Sequence, residues 1–245
     1  MYWCLPGSWR HPDSFRRTAV RYLFGLIALC FGTAASGVAD GKLDTNFSAP
    51  KGYVFGTFDR GGSRMDLSKD LLVGPDGKLF SVGTAQTGTN EYKIAIARFL
   101  PDGSIDHTFA DNGQLLDGTI PLPNVAAAQF GSDGFLVVAG SYGTYPNRKI
   151  FFCRFDPQLG LVGCFNNNYF DPVNPTNDSD VRDMVLLADG YIALAGCSGP
   201  SNISKAAVAM FGANGKPIAT FGNGGTALFR WGMEQSACFR SMIQA

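Results

Sequence analysis

LVGPDGKLFSVGTA, residues 72–85, is the stretch that decides the fold. A short apolar run meets Asp76-Gly77, and a second apolar run follows. Asp-Gly between such runs is a strong hairpin signal. The same sentence returns as AAQFGSDGFLVVAGSY at 127–142 and MVLLADGYIALAGCS at 184–198. Phe109, Phe165 and Phe221 fall in register at a spacing of 56, as do Phe99, Phe155 and Phe211. Self-similarity at this period marks stacked supersecondary units.

A second hairpin follows the first in each copy: YKIAIARFLPDGSIDHTF at 92–109, KIFFCRFDPQLGLVGCF at 149–165 and KAAVAMFGANGKPIATF at 205–221. Their turns are expected at Asp102-Gly103, Gln158-Leu159 and Asn214-Gly215. Type I′ geometry suits Asp-Gly and Asn-Gly, whereas Gln158-Leu159 implies a longer turn. Two hairpins make four antiparallel strands. The predicted fold class is therefore all-β, a β-propeller-like array of four-stranded antiparallel blades. Gly83, Gly140 and Gly196 are expected to close the second strand of each copy, with Ala139 and Ala195 at a crowded strand end. The copies run over about 65–120, 121–176 and 177–232, with a partial fourth at 233–245.

Residues 1–39 read differently. Arg10, Arg16, Arg17 and Arg21 precede an apolar run, Tyr22 to Gly32, and Gly37 and Ala39 suit a cut before Asp40. That is the layout of a secretory signal peptide; an uncleaved N-terminal anchor is the competing reading. Residues 40–245 then form the repeat domain. DGKLDTNF, 40–47, matches DGSIDHTF, so the domain is expected to open on an outermost strand. SACFRSMIQA, 236–245, reads as the first strand of the fourth copy. Two middle strands are then missing, which implies a truncated propeller or one closed by self-association through open edges.

The chain carries 20 basic and 20 acidic residues. Without the four arginines and one aspartate of residues 1–39, 16 and 19 are left. No basic face points to nucleic acid. Of six cysteines, four lie beyond the leader. Cys153 and Cys164 sit opposite each other across the Gln158-Leu159 turn, where the other copies place Ala97/Thr108 and Ala209/Thr220. A disulfide fits that spacing, and export would allow it; two small buried thiols are the alternative. Cys197 and Cys238 are a second candidate pair.

Candidate sites are few. The chain lacks Cys-x-x-Cys and, past the leader, holds a single histidine, His107, which argues against zinc. Asp171, Asn174, Asn177, Asp178, Asp180 and Asp183 could offer oxygens to calcium, but their spacing is not that of a calcium loop, and a solvated inter-blade loop explains them. His107 aligns with Gly163 and Ala219 and reads as an exposed strand residue, not a catalytic base. Gly222-Asn223-Gly224-Gly225 lacks the context of a phosphate loop and reads as a repeat turn. Trp231, Tyr142, Tyr145 and Tyr169 are the aromatics that could stack on a ligand; packing under loops is the plainer account. No catalytic, cofactor or metal residue is assigned.

Asp76-Gly77-Lys78-Leu79, Val82-Gly83, Ala97-Arg98-Phe99 and Asp102-Gly103-Ser104-Ile105-Asp106 with Thr108-Phe109 make a pattern that resembles the delta-60 repeat family. Residues 40–47 fit it too; Gln158-Leu159 and Met210 depart from it. The resemblance implies tandem blades in exported bacterial proteins, without an established activity and without site residues to carry over. The expected role is a binding or scaffold surface for a protein or glycan outside the cytoplasm, periplasmic, at the outer surface or extracellular, with no cofactor. A propeller hydrolase or lyase would need convergent carboxylates at the axis. A lectin-like module would need equivalent polar and aromatic residues in every copy. No polar cluster departing from the repeat is expected.

Overall fold

In a computed structural model the chain divides into two units, Met1–Ala39 and Asp40–Ala245. The structure describes residues 41–58, 65–200 and 205–230, all within the second unit. The leader, the partial fourth copy, Trp231 and Cys238 lie outside the described residues. The described residues form twelve strands: β1 (Asp66–Val73), β2 (Leu79–Gly88), β3 (Glu91–Phe99), β4 (Gln114–Asp117), β5 (Pro123–Phe130), β6 (Leu136–Tyr142), β7 (Lys149–Asp156), β8 (Gly160–Asn168), β9 (Asp178–Leu186), β10 (Ile192–Gly199), β11 (Lys205–Phe211) and β12 (Thr226–Phe229). They form three four-stranded antiparallel sheets, each a meander in chain order. The described residues contain no helix. The all-β, propeller-like blade architecture read from the repeats is the architecture observed.

Cores form between successive sheets because alternate residues of each strand face opposite neighbours. Phe80, Val82, Ile94 and Ile96 of the first sheet meet Val125, Ala128, Val138 and Phe151 of the second. Val137, Ala139, Ile150 and Phe152, from its other face, meet Val181, Met184, Leu194 and Phe211 of the third. Burying each large side chain contributes about 1.5–3 kcal/mol. The first strands β1, β5 and β9 pack one against the next. Side-chain oxygens lock them together: Ala128 N–H donates to Asp70 Oδ2 (3.0 Å) and Leu186 N–H to Gln129 Oε1 (2.9 Å).

The hairpin turns depart from the expected type I′. At the first, Gly77 N–H donates to Gly74 O (2.9 Å) and Gly74 N–H to Lys78 O (2.8 Å). Only the glycine is left-handed, Gly77 at φ 77°. This is a three-residue loop ending in a left-handed glycine. The aspartate explains the choice: its Oδ1 accepts from the amide two residues on, as Asp76 does from Lys78 (3.2 Å). Asp102, Asp133, Asp189 and Asn214 do the same. Gln158-Leu159, expected to be a longer turn, lies in a loop of the same three-residue length, closed by the pairing of Asp156 with Gly160 and capped by Asp156 Oδ1.

Gly83, Gly140 and Gly196 do not close their strands. They lie within β2, β6 and β10, each opposite a bulge in the first strand of its sheet. A Cβ there would meet the carbonyl oxygen of Leu67, Asn124 or Asp180 at 1.8, 2.1 and 2.1 Å. The bulge pushes that carbonyl toward the neighbour, and only glycine accepts it.

In the first and third sheets the fourth strand also lies elsewhere than expected, while in the second β8 follows the turn directly. DGSIDHTF is not a strand. After one bridge, Phe99 to Ile105, the chain turns again, with Phe109 N–H donating to Asp106 O (3.0 Å). Strand β4 begins only at Gln114, which pairs with Ala97. The third sheet repeats this plan, Ala209 pairing with Thr226. The strand equivalents of Cys164 are thus Gln114 and Thr226, not Thr108 and Thr220. By the same logic residues 41–58 are turns and extended segments, not an outermost strand.

Candidate functional site: a polar rim on the second sheet

The expectation that no polar cluster departs from the repeat is overturned at one end of the second sheet. The β6–β7 loop (143–148), the β8–β9 loop (169–177) and the start of β9 meet there. Asp178 and Asp180 arrive side by side because they alternate on β9, with Ser179 between them. Arg148, just before β7, reaches both. Its Nε donates to Asp178 Oδ1 (3.0 Å) and its Nη1 to Asp180 Oδ1 (2.9 Å), and Nη2 contacts Asp178 Oδ2. Arg182 holds Asp180 from the other side.

Backbone groups complete the lock. Arg148 N–H donates to Asp178 Oδ1 (2.9 Å), and Ser179 N–H to Arg148 O (3.0 Å). Buried Ser141 of β6 accepts from Val181 N–H (2.7 Å). Burial works against the Arg148 charge, but its hydrogen bonds to Asp178 and the charges of Asp180 and Asp178 outweigh it and raise its pKa. The pair is a fork-to-carboxylate contact of the stronger kind.

The loop is solvated, as expected, with residues 172–176 exposed, and it is also tied down from within. Asp171, buried, accepts from the N–H groups of Val173 (3.1 Å) and Asn174 (3.0 Å) and from the amides of Asn174 and Asn177 (both 3.1 Å). Burial pushes its pKa up; these four bonds bring it below the ordinary value. All its oxygens are spent on the loop, and Asp183 caps Met184 N–H (2.8 Å). Among the described residues no cluster of three His, Cys, Asp or Glu side chains is placed to hold a metal.

Aromatics line the rim. Tyr145, 42% exposed, lies beneath the Arg148 guanidinium, 5.8 Å from its ring centre. Lys149 Nζ lies 5.5 Å from the Tyr169 ring, and a hydrogen bond to Tyr169 raises its pKa. Tyr142 is not on a loop: it ends β6, buried edge-on to Phe151. The first sheet has Tyr92 at the place of Arg148, and Leu122, just before β5, and Asn124 on β5 stand at the places of Asp178 and Asp180. The rim is thus particular to the junction of the second and third sheets. Arg148 was absent from the sequence candidates because its partners lie 30 and 32 residues away. Its departure from the repeat was the available signal.

The other flagged residues are placed plainly. His107 is exposed, on a loop and not a strand, with Nδ1 2.7 Å from Asn112 Oδ1. Gly222–Gly225 forms the turn before β12, where Gly225 N–H donates to Phe221 O (2.9 Å). Cys153 and Cys164 are cross-strand partners joined by a disulfide, Cα–Cα 4.0 Å. Cys197 is not a free thiol; Cys238 lies outside the described residues. A shallow depression of about 370 Å³, lined by Thr87, Glu91, Lys93, Asp111, Gln114 and Leu116, lies at the outer edge of the first sheet. On the inner strands, Asp70 and Asp183 cap backbone amides.

Residues 74–109 match the family described as a domain of unknown function (DUF5122) beta-propeller. The match spans the first two hairpin turns and β2–β3, and supports a propeller-like repeat. No curated protein matches the chain.

Proposed function

We propose that this is an exported repeat protein of the delta-60 type whose blades serve as a binding or scaffold surface, with the rim of Tyr145, Arg148, Lys149, Tyr169 and Arg182 as its recognition patch for a protein or glycan. One observation carries the reading: this charged and aromatic cluster breaks the repeat on a scaffold that otherwise obeys it. Conserving a bulge, a turn and a core explains the repeated residues; none of those needs Arg148 or Tyr145. Export is supported by the arginine-rich, then apolar leader at 1–39 and by the Cys153–Cys164 disulfide. A lectin site in every blade fits less well, because of the rim residues only Lys149 recurs in the first sheet, as Lys93, while Tyr145, Arg148 and Tyr169 do not.

Glycan-array and envelope-fraction binding by the 40–245 protein tests this, with Tyr145→Ala/Arg182→Ala as the control. The expected result is a bound class lost on double substitution. Binding that ignores the substitution overturns the patch. Fusion of residues 1–39 to a reporter active only outside the cytoplasm tests export; a silent, cytoplasmic fusion overturns it.

A further inference from the structure

The leading face of the first sheet is built like an inter-blade face but left open. Leu71 and Val73 on β1 are 64% and 68% exposed. Their counterparts Ala128 and Phe130, and Met184 and Leu186, pack against the preceding sheet. At the other end, the trailing face of the third sheet offers Val185, Ala193, Ala195, Ala206 and Val208, apolar but for the exposed Asp183 and flatter, with Val185 50% exposed. The chain therefore carries both halves of a contact it already makes twice internally. Two copies meeting head to tail would continue that interface, and a heterologous contact of this kind propagates into rings or fibres.

Residues 41–58 stand in the way. Phe47 packs on the Asp102-Gly103 turn: a Cβ at Gly103 would lie 2.9 Å from its ring. Phe165, from the sheet before, packs in the same manner on the equivalent Gly215 of the third sheet. Ser48 N–H donates to Asp102 O (2.6 Å), Gln114 Nε2 to Thr57 O (2.7 Å) and Phe58 N–H to Asp66 Oδ2 (2.8 Å). The segment thus fills the outer place of a preceding blade. A second copy docking there would bring its own β12, where Ala227 is the strand equivalent of Phe165, onto an occupied Gly103. The centre of the face is altered too. Ser68 and Ser81 hydrogen-bond to each other (2.9 Å) where the inner interfaces have Val125 with Val138 and Val181 with Leu194.

We infer that residues 41–58, with the Ser68–Ser81 pair, guard the open face of β1 against docking by the third sheet of a second copy. This rests on packing alone and is independent of the proposed ligand patch. Light scattering coupled to size exclusion tests it on three proteins: the chain, the chain lacking 41–58, and Phe47→Glu. The expected results are one chain mass for the first and twice that mass or more for the other two. Adding Ser68→Val/Ser81→Val to the deletion tightens association, and adding Leu71→Lys abolishes it. Should the deletion not fold, Phe47→Glu decides alone. A folded, hydrogen-exchange-protected Phe47→Glu protein that stays at one chain mass overturns the inference, as does association of the unaltered chain.

Discussion

Arg98 and Arg154 occupy the same place in two copies of one repeat, yet they live in different surroundings. Arg98 is 1% exposed. Its Nε lies 2.8 Å from Asp106 Oδ2, its Nη2 donates to Thr108 (3.0 Å), and its Nη1 donates to Pro157 O (3.0 Å) of the next sheet. Its guanidinium stacks over Phe109, 4.7 Å from the ring centre. Arg154 sits partly in water, pairing with Asp133 (2.8 Å) over Phe135. The third copy has Met210. The outer hairpin accounts for the difference. In the first sheet it opens into a 14-residue loop between β3 and β4, which needs an anchor. In the second it stays tight and is tied by Cys153–Cys164. The third sheet has the same 14-residue loop, 212–225, but with Met210 and Ile218 where the first has Arg98 and Asp106, so the loop is held by an apolar pair in one blade and by an ion pair in the other.

The largest effect should come from giving the first copy the third copy's residue. Arg98→Met removes one of the two counter-charges of buried Asp106, leaving Lys78 (2.9 Å), and should cost about 3 kcal/mol in urea unfolding, the low end for a broken buried pair. Adding Asp106→Ile, again the third copy's residue (Ile218), should return most of that loss, since an apolar pair replaces an ion pair. The same network sets an acid limit. The Thr108 hydroxyl, with Lys78, the Thr108 amide and the Arg98 charge, holds the Asp106 carboxyl well below its ordinary range, against the opposing effect of burial. Its contribution is complete above about pH 4 and fades as pH falls further toward the depressed folded value. The Arg98→Met/Asp106→Ile protein should lack that component in a pH series of melting curves. An unchanged acid limb would mean the network does not act as described.

A smaller effect is expected at the second sheet. Cys153→Ala/Cys164→Thr, which installs the cross-strand pair of the third sheet, should lower stability by about 2–3 kcal/mol by freeing a short loop in the unfolded chain. Reductant should lower the stability of the native protein by about that amount more than that of the variant, which keeps the Cys197 bond. Least of all should Arg154→Met matter. An exposed pair contributes about 0–1 kcal/mol, and high salt should erase even that. A loss matching that of Arg98→Met would show the two positions to be alike after all.

Much of this was legible before any coordinates. Turn aspartates, turn glycines and alternating apolar runs are local signals, so the three meanders and the Cys153–Cys164 pairing across a hairpin followed from spacing. The fourth strand was not legible. Asp102-Gly103 promised a simple hairpin, but Asp106 turns the chain again by capping Thr108 (N–H, 3.1 Å), and a motif search sees only the first turn. The rim escaped for another reason: Arg148 finds its carboxylates on a different blade.

By itself the order of residues determined the period, the all-β class and the number of strands per copy, since these depend on backbone preferences and on burial repeating every second residue. Tertiary contact alone decided that Gly83, Gly140 and Gly196 face bulges, that Arg98 anchors a loop, and that Arg148 is held by two aspartates. Those outcomes depend on which carbonyl or charge a neighbouring strand or blade brings within a few ångströms, and no local stretch of chain records that distance.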